Sequence, residues 1–220
     1  KGDRVLVGQV IGTPNGFVSA YIHSSVSGTV TAVDGQPDIG GTRRPSVTIK
    51  VEGDEWLDTI DRSDTLIKNC ALSREEILKK ITEAGIVGLG GATFPTHVKL
   101  TIPQGKHADT LIINGVECEP FLTADHRLML EKGKEILVGI ELLCKVLQVD
   151  KALIGIENNK PDAIAHLQEL TENNPKIGVV PLRVRYPQGS EKQLIEALTG
   201  RKVPSGKLPL DVGVVVQNVG

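Results

Sequence analysis

Apolar positions in residues 1–60 fall in short runs: Val5-Leu-Val7, Gln9-Val-Ile11, Phe17-Val18, Val30-Thr-Ala-Val33 and Ser46-Val-Thr-Ile-Lys-Val51. Gly, Pro and Asp separate them, a pattern that predicts short β-strands joined by turns. From about residue 70 the period lengthens. Ser73-Arg-Glu-Glu76 predicts a capping box, in which the serine caps a helix and Glu76 reaches back to the cap. Ile77, Ile81 and Ala84 then share one helical face, and Gly85 ends it. Thr110-Leu-Ile-Ile-Asn114 predicts a buried strand. Residues 125–148 carry Leu128, Leu137, Ile140, Leu143 and Leu147 at helical spacing, with Gly133 as a break. Strands over 152–156, 178–185 and 212–216 alternate with helices opening at Pro161 and Glu191. That alternation predicts a mostly parallel sheet with helices on both faces. The fold class is therefore α/β, Rossmann-like, preceded by a small all-β segment. The change of period predicts two domains, 1–65 and 66–220, the second truncated at its carboxyl end.

Charge narrows the function. The 220 residues carry a net charge of −2, which supplies no basic field for nucleic acid or an anionic membrane surface. No apolar run approaches the roughly 18 residues of a membrane span. Cys70, Cys118 and Cys144 form no C-x-x-C pair, so these cysteines give no support to a zinc or iron–sulfur site. Scattered and odd in number, they suit a reducing compartment. The opening Lys1-Gly-Asp-Arg4 carries no secretory signal and reads as the interior of a longer protein.

Two segments carry the candidate chemistry. Gly88-Leu-Gly-Gly-Ala-Thr-Phe-Pro-Thr96 is a glycine-dense loop with Lys99 just beyond. Glycines let backbone N–H groups approach a phosphate, and a lysine adds charge. The loop is neither a P-loop nor a Rossmann fingerprint, because it follows a helix and lacks both spacings. The dense set Gly85, Gly88, Gly90 and Gly91 with Lys99 reads as an anion cradle, or as a plain turn. Ile113-Asn-Gly-Val-Glu-Cys-Glu-Pro120 runs a strand into Asn114, Glu117 and Glu119, where α/β proteins place groups that hold sugar hydroxyls. In extended backbone Glu117 and Glu119 point to one side. A ligand, a solvated loop or a metal would account for them, although no histidine stands at ligand spacing. Tyr186-Pro-Gln-Gly-Ser-Glu-Lys-Gln193 leads another strand into a helix that Ser190 is expected to cap. It brings Tyr186, Gly189 and Glu191 toward the same edge, as the last strand brings Asn218. The five histidines (23, 97, 107, 126 and 166) accompany no nucleophile-plus-base pattern.

Within the β segment, Gly2-Asp-Arg-Val-Leu-Val-Gly-Gln-Val-Ile11 and His23-Ser-Ser-Val-Ser-Gly-Thr-Val30 resemble half-motifs of biotinyl/lipoyl-type domains. Lys50 is the one lysine between Gly8 and Val51 and lies inside a predicted strand, so a structural barrel-sandwich is expected rather than a covalent carrier.

Ala84–Leu100, Ile112–Arg127 and Tyr186–Gln193 closely resemble the C subunit of the Rnf electron-transport complex, an ion-translocating oxidoreductase. The resemblance runs on through Val203-Pro-Ser-Gly206 and Gln217-Asn-Val-Gly220. The same core is similar to the flavin-binding subunit of respiratory complex I. The resemblance implies a peripheral module on the cytoplasmic face of the membrane that binds FMN and exchanges hydride between NADH or NAD and the flavin. By the same analogy Gly88, Gly90 and Lys99 hold the FMN phosphate and ribityl chain, with Gly91 a further cofactor-binding candidate in the same loop. Asn114, Glu117, Tyr186, Gly189 and Asn218 line the flavin, and Phe94, Glu119 and Glu191 face the nicotinamide nucleotide. Implied partners are membrane-embedded and ferredoxin-like subunits. The family's two [4Fe-4S] clusters belong to a carboxyl-terminal module outside these residues. Val116 and Ser190 stand where the complex I pattern has an acid, and Thr93 and His97 where it has a glycine. A β-branched residue at 93 takes a positive φ only at a cost. The competing reading is a non-catalytic assembly or quinone-contact protein, like the A subunit of the sodium-pumping NADH:quinone reductase.

Overall fold

A computed structural model describes residues 1–220 as two compact units. The first comprises Lys1–Thr65 with Glu83–Gly85, the second Leu66–Thr82 with Ile86–Gly220. In the first unit, β1 (Arg4–Val5), β4 (Gly28–Pro37) and β5 (Arg43–Val51) form an antiparallel sheet in the order β1-β4-β5. β2 (Val10–Gly12) and β3 (Ile22–His23) pair separately. Val5, Val7 and Val30 are the unit's buried apolar residues. A core that small leans on polar ties. Ser27 Oγ donates to the Glu52 carbonyl at 2.9 Å and accepts from the Glu55 N–H at 3.1 Å. Phe17 and Val18 lie outside any strand and are exposed, because the Gly12–Gly16 stretch leads them into a bend rather than a ladder. Lys50 lies within β5 and pairs with Glu52 at 2.8 Å.

The second unit holds α1 (Arg74–Glu83, its last residue grouped with the first unit), α2 (Thr96–Leu100), β6 (Thr110–Gly115), α3 (Ala124–Glu131) and α4 (Gly133–Leu147). There follow β7 (Ala152–Glu157), α5 (Pro161–Thr171), β8 (Ile177–Leu182), α6 (Glu191–Thr199), a 3-10 turn over Pro209–Val212 and β9 (Val214–Asn218). The capping box at α1 is formed: Ser73 N–H donates to Glu76 at 2.7 Å and Glu76 N–H to the Ser73 hydroxyl at 3.2 Å. Gly133 opens α4, and a Cβ there would sit 2.7 Å from Leu170 Cδ1 on α5, so a larger residue would push the Leu170 and His166 side chains aside.

The sheet is wholly parallel in the order β8-β7-β6-β9. Alternate residues divide its two faces. Leu111, Ile113, Ile154, Ile156 and Val215 pack with Met129, Ile140 and Leu167 of α3, α4 and α5. Ile112, Leu182, Val214 and Val216 pack with Leu194 and Ile195 of α6. Each fully buried Leu or Ile among them contributes roughly 1.5–3 kcal/mol. Strand β8 stops at Leu182, short of the expected Arg185, because Arg183–Arg185 are exposed. Strand β9 begins at Val214, later than the expected 212, because Gly213 takes φ +76 and breaks the extended run. Helix α2 is an element the apolar pattern does not announce. No helix is long and apolar enough to cross a membrane.

Candidate functional site

The chain lays down β6, β7 and β8 by stepping in one direction across the sheet, then crosses back through α6 to place β9 on the far side of β6. Between β6 and β9 the connections therefore leave in opposite directions. Such a switch point opens a crevice at the carboxyl ends of the two strands. Asn114 and Asn218 stand in register at those ends, on the face that carries α6.

Four segments meet there. The loop over residues 86–95 folds back on itself: Gly88 N–H donates to the Phe94 carbonyl at 3.0 Å and Thr96 N–H to the Ile86 carbonyl at 3.0 Å. Its tip touches β9. A Cβ on Gly90 would fall 2.8 Å from Asn218 Cγ and closer still to its Nδ2, so any larger residue there would have to displace the Asn218 side chain. Gly88 and Gly91 face open space, with nothing closer than 3.9 Å to an added Cβ at Gly88 and nothing within 4 Å at Gly91. Thr93 takes φ +50, the left-handed conformation that a branched side chain resists. Its hydroxyl turns onto the Ala92 carbonyl at 2.8 Å, a local bond available to Thr and not to Val or Ile.

Lys99, on α2, donates to Glu191 Oε1 at 3.2 Å and to the Val216 carbonyl at 2.9 Å. Two of its three protons are thereby spent on fixing the ammonium at the crevice. The Phe94 ring centroid lies 6.0 Å from it. Asn114 ties two walls together, since its Nδ2 donates to the Gly189 carbonyl at 2.9 Å and its Oδ1 accepts from Val116 N–H at 3.0 Å. Gly189 passes close over Val116, whose carbonyl would lie 2.9 Å from an added Cβ.

Glu117 and Glu119 part company. Glu117 turns inward, accepting the first N–H groups of α3 from Asp125 at 2.9 Å and His126 at 3.3 Å, while Glu119 is exposed. The strand ends at Gly115, so the two-residue alternation that would align them does not apply. Ser190 stands at the N-cap of α6 without a side-chain bond to the helix, contrary to expectation. Glu191 in its first turn bonds Lys99 instead. Tyr186 is exposed at 78%. Direct contacts thus join Gly90, Lys99, Asn114, Glu117, Gly189, Glu191 and Asn218. Gly91, Glu119 and Tyr186 lie at the exposed margin.

Sequence reasoning misses Asp125. Its Oδ2 accepts from Asn218 Nδ2 at 3.0 Å, half-buried beside Glu117. Burial, reinforced by the Glu117 charge, pushes its carboxyl above the usual range. The residue lies within the Ile112–Arg127 motif, where its position reads only as the opening of a helix. Also missed is the pair of Glu157, at the end of β7, with Lys160 before α5: 3.3 Å apart and both buried. A second Glu157 oxygen and the Gln217 Nε2 are buried with no hydrogen-bond partner. A cavity of about 520 Å³ opens at the opposite edge, among Glu141, Cys144, Gln148 and Lys176. There burial pushes the Cys144 thiol up to about 11, which suppresses its thiolate.

A parallel sheet with a glycine-lined, lysine-bearing crevice at its switch point defines an α/β nucleotide-binding protein. Within that class, the chain belongs to the family of the Nuo51 FMN-binding domain, which matches residues 81–220. Residues 1–54 match the RnfC barrel sandwich hybrid domain. The chain is 52% identical to the C subunit of the Na(+)-translocating ferredoxin:NAD(+) oxidoreductase complex of Acetobacterium woodii, over 100% of this chain and 49% of that protein. It is 50% identical to the C subunit of the proton-translocating ferredoxin:NAD(+) oxidoreductase complex of Clostridium ljungdahlii, over 100% of this chain and 48% of that one. It is 42% identical to the C subunit of the ion-translocating oxidoreductase complex of Pseudomonas aeruginosa, over 100% of this chain and 28% of that one. The Rnf resemblance therefore holds along the whole chain, beyond its motifs. The chain spans about half the length of the first two relatives. Among solved structures, the NAD+-reducing [NiFe]-hydrogenase in its H2-reduced state aligns with a TM-score of 0.56 and 26% identity, over 67% of this chain and 29% of that one.

Proposed function

We propose that residues 66–220 form the FMN- and NADH-binding module of an Rnf-type ferredoxin:NAD oxidoreductase, carried peripherally on the cytoplasmic face of the membrane with the other subunits of such a complex. The supporting observation is the close approach of Gly90 to Asn218 beside the pinned Lys99 ammonium. A phosphate and a polyol chain need that combination: backbone without side chains, and one fixed cation. Gly88, Gly90, Gly91 and Lys99 take the FMN phosphate and ribityl chain. Lys99 has one proton left to offer, since Glu191 and Val216 take the other two. Asn114, Glu117, Tyr186, Gly189 and Asn218 line the flavin. Asn114 and Glu117 do so by bracing walls, as their polar atoms already hold Gly189 and the start of α3. Phe94, Glu119 and Glu191 face the nicotinamide nucleotide, and an acidic group there favours a free 2′-hydroxyl over a 2′-phosphate.

FMN held by these residues would supply the chemistry of hydride exchange with NADH or NAD. The chain contributes orientation and charge. Lys99 fixes an anion, the Asn114 and Asn218 amides hold the crevice at a set width, and Phe94 offers a flat apolar face. The test is titration of the purified chain with FMN, followed by flavin absorbance on adding NADH without oxygen. Binding followed by bleaching of the flavin band is expected. Glu119→Ala should weaken NADH binding more than FMN binding. Absence of FMN binding at high concentration would sink this reading in favour of an assembly role.

A further inference from the structure

Between Glu117 and α3 the chain makes a closed loop. Glu117 accepts N–H groups from Asp125 and His126, so the two ends of the 118–124 segment are tied together. Asp125 in turn holds Asn218, which fixes the base of the loop at the switch point. At the tip lies a four-residue turn closed by Leu122 N–H on the Glu119 carbonyl at 3.3 Å, with Pro120 and Phe121 as its central residues. Phe121 takes φ +67 and is fully exposed, at 102%.

A turn with proline first and a positive φ second is one whose second central position favours glycine. A phenylalanine there bears the cost of left-handed backbone, and in the free chain it buries no ring in return. Glu119 and Leu122, at 50%, are exposed beside it. The chain has only three Phe, two Tyr and one Trp, and this one stands on a loop rooted in the candidate site. Strain and exposure together at one residue are accounted for when the ring is covered in a bound state.

We propose that Phe121 stacks on a heteroaromatic ring of the pyridine dinucleotide bound at the switch point. The inference rests on the function proposed above and adds a second aromatic contact to Phe94. The two aromatics lie on different loops, and a dinucleotide offers two flat rings, a purine and a nicotinamide, joined by a flexible pyrophosphate. A flat π-face suits either ring.

The test uses the full chain loaded with oxidised FMN, and NAD+ as the probe, so that binding is read without turnover. Phe121→Ala and Phe121→Gly should lower NAD+ affinity by about tenfold, the effect of losing one base stack. Phe121→Tyr should retain it, and FMN affinity should be unchanged in all three. Phe121→Gly should also melt above the parent chain, since glycine relieves the positive φ; a merely structural phenylalanine would melt lower when removed. Separate titrations with AMP and NMN identify the stacked ring as the one whose mononucleotide loses affinity in Phe121→Gly. Equal NAD+ affinity in the parent chain and both truncating variants would overturn this inference alone and point the ring toward a protein partner. A parent chain that binds FMN but no NAD+ would overturn it together with the dinucleotide reading.

Discussion

Asn218 is the residue on which the crevice closes. It donates to Asp125, accepts from the Gly220 N–H at 2.9 Å and meets the backbone of Gly90. Gly90→Ala would drive a methyl to 2.8 Å from Asn218 Cγ as well as onto its amide nitrogen, so the side chain must leave its bond to Asp125. Losing that hydrogen bond costs about 1–3 kcal/mol, and FMN affinity should fall about tenfold with a lower melting temperature, read by flavin titration and calorimetry. Asp125 has its own signature. Its folded pKa lies above the ordinary value of 3.8, raised first by burial and then by Glu117. Between the unfolded and folded pKa values the native state holds the extra proton, so stability falls as pH rises through that window and stays lower above it. Asp125→Asn keeps an acceptor for Asn218 and removes the charge. Its denaturation midpoint should therefore lose less than the parent's between about pH 4 and pH 7, by urea unfolding at each pH.

Among elements, those with a local cause are legible in the sequence and those with a tertiary cause are not. The α1 cap, the Gly133 break and the Pro161 start each rest on a residue acting on its own neighbours. Helix α2 rests on a sheet edge: its Leu100 is fully buried in the core against β9, and five residues carry too little periodicity to announce it. The final strand starts later than its pattern suggests, because Val212 continues the apolar run while Gly213, in left-handed backbone, ends the turn before it. In the site, glycine density, the lysine and the strand-end amides are visible as composition. Which carboxylate faces inward is not, since that depends on where β6 stops. Glu157 and Lys160 are hidden for the same reason: a charged pair looks solvent-facing until the end of β7 and the start of α5 enclose it. Lys160→Met should strand the buried Glu157 carboxylate at a cost of about 3–5 kcal/mol, measured by urea unfolding. Adding Glu157→Gln to it should restore most of that loss, which would not happen if the lysine acted by packing alone.

At the scale of the molecule, the sheet order separates the site from the sequence that builds it. Strands β6, β7 and β8 follow one another and close short circuits, whereas β9 pairs with β6 across 104 residues, as at Asn114 and Asn218. Long-range pairing is closed last, after the entropy of the intervening loop has been overcome. As the chain emerges from the ribosome, three strands and most of both cores can assemble while one edge of β6 is still bare. Both groups that define the crevice on that edge, the Val216 carbonyl under Lys99 and the Asn218 amide, arrive only with the final strand. The crevice is thereby completed only with the sheet, and a nascent chain stalled before β9 exposes an unpaired strand along β6.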